Sequence, residues 1–259
     1  MKAVSMTLDE NDIHLWYSFG DEINDPELIE QYHQLLNDEE RQKQQRFHFE
    51  KHQHQYLVTR ALLRTVLSLY EPSVSPDQWC FDKNDYGKPF IIHPSLSAPL
   101  YFNLSHTDEL IVLAVSRENT LGVDVEYRQR KNTSLSIADS FFSKKECEDL
   151  FARPEAEQRD YFLSLWTLKE AYIKARGMGL SIPLNQFSFS FPERNCVDID
   201  IEDSQNDQQE KWSFWQMALS EKHVGALALK SEYEKSSYVL TQKKIIPLSS
   251  IDHADYLVF

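Results

Sequence analysis

Glycine is the residue this sequence uses most sparingly, with only 6 among 259 positions, where an average chain carries about 7%. Four of the six, Gly87, Gly122, Gly177 and Gly179, flank the stretches that carry the chemistry described below. Each is therefore expected where a side chain would not be tolerated. Cysteine is scarce as well: Cys80, Cys147 and Cys196 are odd in number, far apart and form no Cys-x-x-Cys. That argues against a disulfide framework or a zinc ribbon and leaves buried, reduced thiols as the expectation. No apolar run approaches the roughly 18 to 20 residues of a membrane helix. Asp9, Glu10 and Asp12 stand where a signal peptide would need its apolar core. A cytoplasmic protein without membrane attachment is expected. Positive charge is also in deficit, with 27 Lys and Arg against 41 Asp and Glu, a net charge of −14. That argues against broad nucleic-acid binding, which normally shows a basic face. A polyanionic ligand would have to bind where cations are locally concentrated.

What is present is a globular composition, 41% hydrophobic and 12% aromatic, enough for one large domain or two smaller ones. Residues 14–19 read as a first strand, and Asp25-Pro26-Glu27 as a helix start with Pro just inside. Residues 38–70 are helical in pattern. Their first half is crowded with Arg41, Lys43, Arg46, His48, Lys51, His52 and His54, either a solvated helix face or a cationic lip for an anion. No Cys or carboxylate cluster completes a zinc site with the three histidines. Residues 85–90 form a Gly-Pro turn. Three short strands follow, at 101–104, 110–115 and 121–127, expected to pair as an antiparallel meander. A helix is expected over 134–142. Ser143 and Glu146 then have capping-box spacing. A long helix opens at Pro154 and ends at Gly177 and Gly179. Alternating stretches at 187–191, 197–201, 212–219 and 225–229 read as strands, and the remainder as a tail without an assigned place. The chain divides near Thr120 into two halves, each with helices and antiparallel strands.

Two of these elements invite chemistry. On the strand Gly122-Val123-Asp124-Val125-Glu126 the two carboxylates share one face, and the valines share the other. On the long helix Trp166, Glu170 and Lys174 lie four residues apart on one edge. Adjacent carboxylates repel unless a cation neutralises them, and a hard divalent ion suits oxygen ligands. A half-exposed strand would carry the same two carboxylates on its solvent face, so the strand alone leaves both readings open. Lys88 after a Gly turn, Ser105 and His106 at a strand end, and Lys174 one turn beyond Glu170 add donors suited to a phosphate.

Five motifs then occur in order: Tyr-Gly-Lys-Pro at 86–89, Phe-Asn-Leu-Ser-His at 102–106, Gly-Val-Asp-Val-Glu at 122–126, Phe-Phe-Ser at 141–143 and Trp-Thr-Leu-Lys-Glu-Ala-Tyr-Ile-Lys at 166–174. Together they resemble the 4'-phosphopantetheinyl transferases of the surfactin-synthetase-activating type. The motifs span roughly residues 40–190. The resemblance implies an α+β monomer of two similar α/β subdomains with antiparallel sheets, related by a pseudo-twofold, with coenzyme A in the cleft between them. It places the adenosine and 3'-phosphate side in residues 1–120, and the metal site, catalytic helix and carrier docking in residues 121–259. It implies Mg2+-dependent transfer of phosphopantetheine from coenzyme A to a serine of an apo acyl or peptidyl carrier protein, releasing adenosine 3',5'-bisphosphate. By position Asp124, Glu126 and Glu170 match the family's magnesium carboxylates, and Lys174 and His106 its diphosphate contacts. Lys43, Lys88 and Ser105 match residues near the adenosine and its 3'-phosphate.

The chain departs from the family in two places. Glu40 or Arg41 stands where a second lysine is expected, and Gln55 where an arginine is; Arg60 is the substitute cation. Glu170, directly or through a metal-bound water, is the candidate base, with Lys174 and His106 as its catalytic companions. Met178, Leu180, Ile182, Pro183 and Leu184 offer an apolar carrier-docking segment, at least half of it core. The rival readings are a non-catalytic module that holds coenzyme A or a carrier, and a metal-dependent phosphodiesterase that uses water as nucleophile.

Overall fold

The computed structural model describes residues 5–129, 135–193, 196–205, 207–208, 211–251 and 256–257. The chain opens with β1 (Asp12–Phe19), α1 (Pro26–Leu35), α2 (Asp38–Gln45) and α3 (Glu50–Tyr70). Asp25 accepts the Glu27 amide and caps α1, with Pro26 in the first turn as its sequence implied. The helical stretch at 38–70 breaks before α3, where Phe49 is extended. Next come β2 (Cys80–Lys83), β3 (Pro89–His93), β4 (Tyr101–His106), β5 (Leu110–Ser116) and β6 (Leu121–Tyr127). The short α4 (Ala138–Phe141) follows a 3-10 turn; Ser134, expected to begin that helix, lies outside the described residues. Then follow α5 (Lys144–Phe151), α6 (Glu155–Arg176), β7 (Phe187–Ser190), β8 (Asp198–Ile201), β9 (Trp212–Ser220) and β10 (His223–Lys230). The last described strands are β11 (Val239–Ile246), β12 (Ser250–Ile251) and β13 (Tyr256–Leu257). Ser143 and Glu146 form the expected capping box on α5.

The strands make two principal sheets, one in the order β12-β11-β1-β5-β4 with β13 also on β11, the other β6-β10-β9. Three apolar layers hold them. Val58, Leu62 and Val66 of α3 pack with Trp16, Leu113 and Val115 on the outer face of the first sheet. Leu168, Ala171 and Tyr172 of α6 pack with Phe214, Ala226 and Ala228 on the outer face of the second. Between the sheets lie Ile13, Leu15, Val112, Val123, Val125 and Leu227. The order is therefore helix, sheet, sheet, helix, a mixed α+β architecture.

Three expectations change. The meander stops after β5: β6 leaves its neighbour and pairs antiparallel with β10. Side chains of β4 tie it to the first sheet: Asn103 Oδ1 accepts the Val123 amide at 2.9 Å, and Ser105 reaches Asp124. The tail is structural, because β11 pairs with β1 in parallel and completes the sheet of the first half across the division drawn at Thr120. Of the three thiols expected to be buried, Cys80 and Cys196 are exposed and only Cys147 is partly covered, all three unbridged. Among the described residues no helix is long and apolar enough to cross a membrane.

Gly122 explains how α6 reaches the site. A Cβ on Gly122 would lie 2.0 Å from the Ala171 carbonyl oxygen and 2.4 Å from the Ala175 amide nitrogen, both backbone. The helix thus rests directly on the β6 main chain at this point, which brings the residues flanking Ala171 against Asp124.

Candidate active site

Asp124, one pleat from Gly122, is buried on the α6 face of β6. Lys174 Nζ donates to Asp124 Oδ1 at 2.6 Å, to Ser105 Oγ at 3.0 Å and to the Val123 carbonyl at 3.3 Å. Ser105 in turn donates its hydroxyl to Asp124 Oδ1 at 2.9 Å. Three motifs far apart in sequence therefore meet at one carboxylate oxygen. The second oxygen, Asp124 Oδ2, is buried and has no hydrogen-bond partner. A carboxylate oxygen left so is costly, and asks for a ligand of its own.

Glu170 lies one turn before Lys174 and is half-buried. Its carboxyl is pushed up to about 7, first by burial and then by the charge of Asp124, with Glu126 adding and Lys174 opposing. Asp124 and Glu126 both act on Glu170, so the three predicted metal carboxylates share one electrostatic neighbourhood. Among the described residues no group of three His, Cys, Asp or Glu side chains is close enough to hold an ion unaided. The donor set fits magnesium's habit of taking one or two carboxylates and completing its shell with water and phosphate oxygens. It does not fit a closed protein cage. The zinc reading of His48, His52 and His54 gains nothing from the same finding.

His106, at the exposed end of β4, is held below the usual imidazole range by the protein packed about its ring and then by Lys174. A neutral ring beside an ammonium leaves a net positive spot without mutual repulsion. Trp166 stacks on Phe162, with ring centroids 6.0 Å apart, and meets Phe141 edge-on at 5.7 Å. It is packing that fixes the helix.

Lys169, part of the same helix motif but given no role from the sequence, is fully buried. Its Nζ meets Glu146 Oε2 at 2.8 Å and donates to the Leu184 and Phe187 carbonyls, each at 2.7 Å. Burial lowers its pKa and Glu146 opposes that. The residue before Glu170 is thus locked to the α5 capping box, which fixes the angle at which Glu170 leaves the helix. The motif carried the lysine, and Glu146, 23 positions earlier, was legible as a capping residue but not as its partner.

The remaining predicted contacts lie along a path away from Asp124. A cavity of about 240 Å³ is lined by Tyr86, Gly87, Pro89, Leu104 and Lys174. Pro89 also borders a smaller cavity of about 60 Å³ that holds Lys43, Arg60, Lys83 and Tyr56. Lys43 sits 5.5 Å and Arg60 5.2 Å from the Tyr56 ring centre. Burial, then Lys83 and Arg60, lower the Lys43 pKa. Lys83 was not singled out from the sequence; its place at the end of the β2–β3 hairpin, paired with Pro89, brings it here. Glu40, standing where a family lysine is expected, is paired by Arg60 at 3.5 Å and Arg64 at 2.7 Å. Gln55, where an arginine is expected, donates to the Thr107 carbonyl at 2.8 Å. Lys88, predicted near the adenosine, lines the first of these cavities and directs its ammonium at the Leu121 and Ala175 carbonyls. A groove of about 720 Å³ beside the hairpin is larger than either cavity, yet none of the predicted carboxylates lines it.

One pH effect follows from Glu170. Its folded pKa lies above the ordinary 4.5, so the folded protein holds that proton more tightly than the unfolded chain. The stabilisation is complete below about 4.5 and is lost as pH rises through about 7. At about 1.4 kcal/mol for each pKa step, discounted for partial exposure, the loss is about 2 kcal/mol. Melting curves without divalent ions at pH 5, 6.5 and 8 should fall more steeply for the wild type than for Glu170→Gln. Equal slopes would remove the repulsion among the carboxylates from the account.

With the geometry in place, comparison with known proteins gives a consistent answer. Residues 120–234 match the profile of the 4'-phosphopantetheinyl transferase superfamily. Residues 25–118 match that of the 4'-phosphopantetheinyl transferase N-terminal region. The chain is 37% identical over 175 residues to 4'-phosphopantetheinyl transferase Sfp of Bacillus subtilis, covering 68% of this chain and 75% of that protein. It is 33% identical over 181 residues to 4'-phosphopantetheinyl transferase HetI of a Nostoc species, covering 70% and 75%. With 4'-phosphopantetheinyl transferase psf-1 of Bacillus pumilus it shares 33% identity over 185 residues, covering 71% and 76%. This chain belongs to the 4'-phosphopantetheinyl transferase family and is a transferase enzyme.

Proposed function

We propose that this enzyme transfers the 4'-phosphopantetheine arm of coenzyme A to a serine of an apo acyl or peptidyl carrier protein, releasing adenosine 3',5'-bisphosphate. The observation that carries the reading is the junction at Asp124, where Ser105, Lys174 and the raised carboxyl of Glu170 converge at one end of a cleft. Lys43, Arg60 and Lys83 supply cations at the other end, suited to the 3'-phosphate. We also read the two helix-covered sheets as similar subdomains, residues 1–120 and 121–259, related by a pseudo-twofold with the ligand between them. β11 is the exception, crossing back to the first.

Asp124, Glu126 and Glu170 would hold Mg2+, one or two of them directly and the rest through bound water. The orphaned Asp124 oxygen and the mutual repulsion of the three carboxylates support that assignment. When bound, the ion supplies Lewis-acid neutralisation of diphosphate oxygens. The chain's own groups do the rest. Lys174 exchanges Asp124 for a diphosphate oxygen, and His106 donates a second contact, both countering charge that builds on the oxygens in the transition state. The carrier serine oxygen attacks the phosphorus that bears the pantetheine. The bond to the bridging oxygen breaks, and the bisphosphate leaves with that electron pair. The serine proton passes to Glu170, directly or through water. Leu180, 72% exposed beside the cleft, is the docking segment's apolar contact, whereas Ile182 and Leu184 are core.

Incubating the enzyme with coenzyme A, Mg2+ and a panel of apo carrier proteins should raise a carrier's mass by one phosphopantetheine arm. No gain across the panel sinks the proposal. Free phosphopantetheine made without a carrier would favour hydrolysis, and coenzyme A binding without turnover would favour a passive module.

A further inference from the structure

Lys88 is the one predicted ligand contact whose surroundings argue for a different task. Its Nζ donates to the Ala175 carbonyl at 2.9 Å, the Leu121 carbonyl at 3.1 Å and the Asn119 carbonyl at 3.4 Å. An ammonium has three donors and no acceptor, so this set uses all of them. The three acceptors belong to the last turn of α6, the first residue of β6 and the turn before it. Asn84 stands beside it as a second strut. Its Nδ2 donates to the Gly177 carbonyl at 2.7 Å, and its Oδ1 accepts the Tyr86 and Lys88 amides at 3.0 and 2.9 Å. Carbonyls in the last turn of a helix lack intrahelical partners, and here Ala175 and Gly177 find theirs on the 84–88 turn. Gly177 is needed for the fit: at φ 66° a Cβ there would come within 2.9 Å of Lys88 Cδ and 3.2 Å of Asn84 Nδ2.

Lys174 also donates to three groups, but two of them are the side chains of Asp124 and Ser105, which can take new partners. The partners of Lys88 are all main chain and stay where the fold puts them. Burial pushes its pKa down to about 8.

Building on the proposed transfer from coenzyme A, we infer that Lys88 is a positioning residue rather than a 3'-phosphate ligand. With Asn84 it staples the 84–88 turn to the C-terminal end of α6 and so sets the width of the donor cleft. Tyr86, Gly87, Lys88 and Pro89 on one wall and Ile173 and Lys174 on the other line that cleft. The staple is the contact that holds the walls at a fixed separation.

The test uses Lys88→Met, which keeps the stem and removes the donors, and Asn84→Ala, which removes the other strut and never carried a charge. Each is assayed with coenzyme A and with 3'-dephospho-coenzyme A, the active fraction being measured by thermal melting. Expected is a rise in KM of about 10-fold for both donors alike in Lys88→Met and a smaller, equally matched rise in Asn84→Ala, with KM for the carrier unchanged. A loss confined to coenzyme A would make Lys88 a 3'-phosphate ligand and overturn the inference. So would unchanged KM in both variants, or a loss explained wholly by the folded fraction. If Lys88→Met does not fold, the matched rise in Asn84→Ala decides the matter alone. Wild type that transfers from neither donor would instead refute the proposed function.

Discussion

Glu170→Gln should lower carrier modification by about 10³-fold, in the range that general bases contribute, while the protein folds as before. Gln is near-isosteric with Glu, cannot accept the serine proton and brings no negative charge to a cation shared with Asp124. The variant also removes a carboxyl that burial and Asp124 hold at about 7. Without divalent ions its melting temperature at pH 8 should therefore equal or exceed that of the wild type. Loss of activity with gain of stability is hard to obtain by damage to the fold, and that combination makes the experiment decisive. Rates come from mass spectrometry of a modified carrier and stability from melting curves. Full activity would take Glu170 out of the mechanism; lost activity with an early melt would make it a packing residue.

Gly122→Ala should be the most damaging single-methyl change in the molecule. The new carbon would sit 2.0 Å from one backbone atom of α6 and 2.4 Å from another, so no side chain can turn aside to admit it. Relief requires α6 to back away from β6 by more than an ångström. Overpacking commonly costs about 1 to 3 kcal/mol; a clash with rigid backbone on both sides belongs at about 4 kcal/mol, among the exceptional cases. The effect should not stop at stability. Glu170 and Lys174 ride on the displaced helix, whereas Asp124 stays on β6, so the Lys174–Asp124 contact of 2.6 Å opens. Denaturant unfolding should show the lost stability, and transfer per folded molecule should fall by at least about 10-fold, as expected when reacting groups are misplaced by an ångström. A variant as stable and active as the wild type would mean that α6 is not seated on Gly122.

What the sequence revealed and what it hid divide along a physical line. The meeting of Asp124, Ser105, Glu170 and Lys174 was readable because the motifs put them at particular spacings on one strand, one strand end and one helix. Lys169 and Glu146, or Lys88 and Ala175, were not, because a side chain that satisfies a distant carbonyl leaves no periodicity behind. The lysine of Tyr-Gly-Lys-Pro was read as a ligand contact, and its carbonyl partners could not be seen from the sequence. The meander expectation followed from short connections alone and did not see that β6 takes β10 as its neighbour. β11 escaped notice because its middle is polar: Gln242 and Lys243 are buried in the sheet, against the alternation that marks a half-exposed strand.

The parallel pairing of β1 with β11 has a bearing on how the protein is made. Residue 12 meets residue 239 and residue 17 meets residue 244, so the second strand leaves the ribosome more than two hundred residues after the first. Throughout that interval one edge of β1 offers unpaired amides and carbonyls, the situation in which strands recruit the wrong partner. Closure over so long a loop is also slow. Ser18, whose hydroxyl reaches the Ile245 carbonyl at 2.6 Å, and Tyr32, which reaches the Pro247 carbonyl at 2.8 Å, wait for the same strand. The first sheet is thus sealed only once β11 has been made, and until then that edge of β1 is the place where a wrong partner could add.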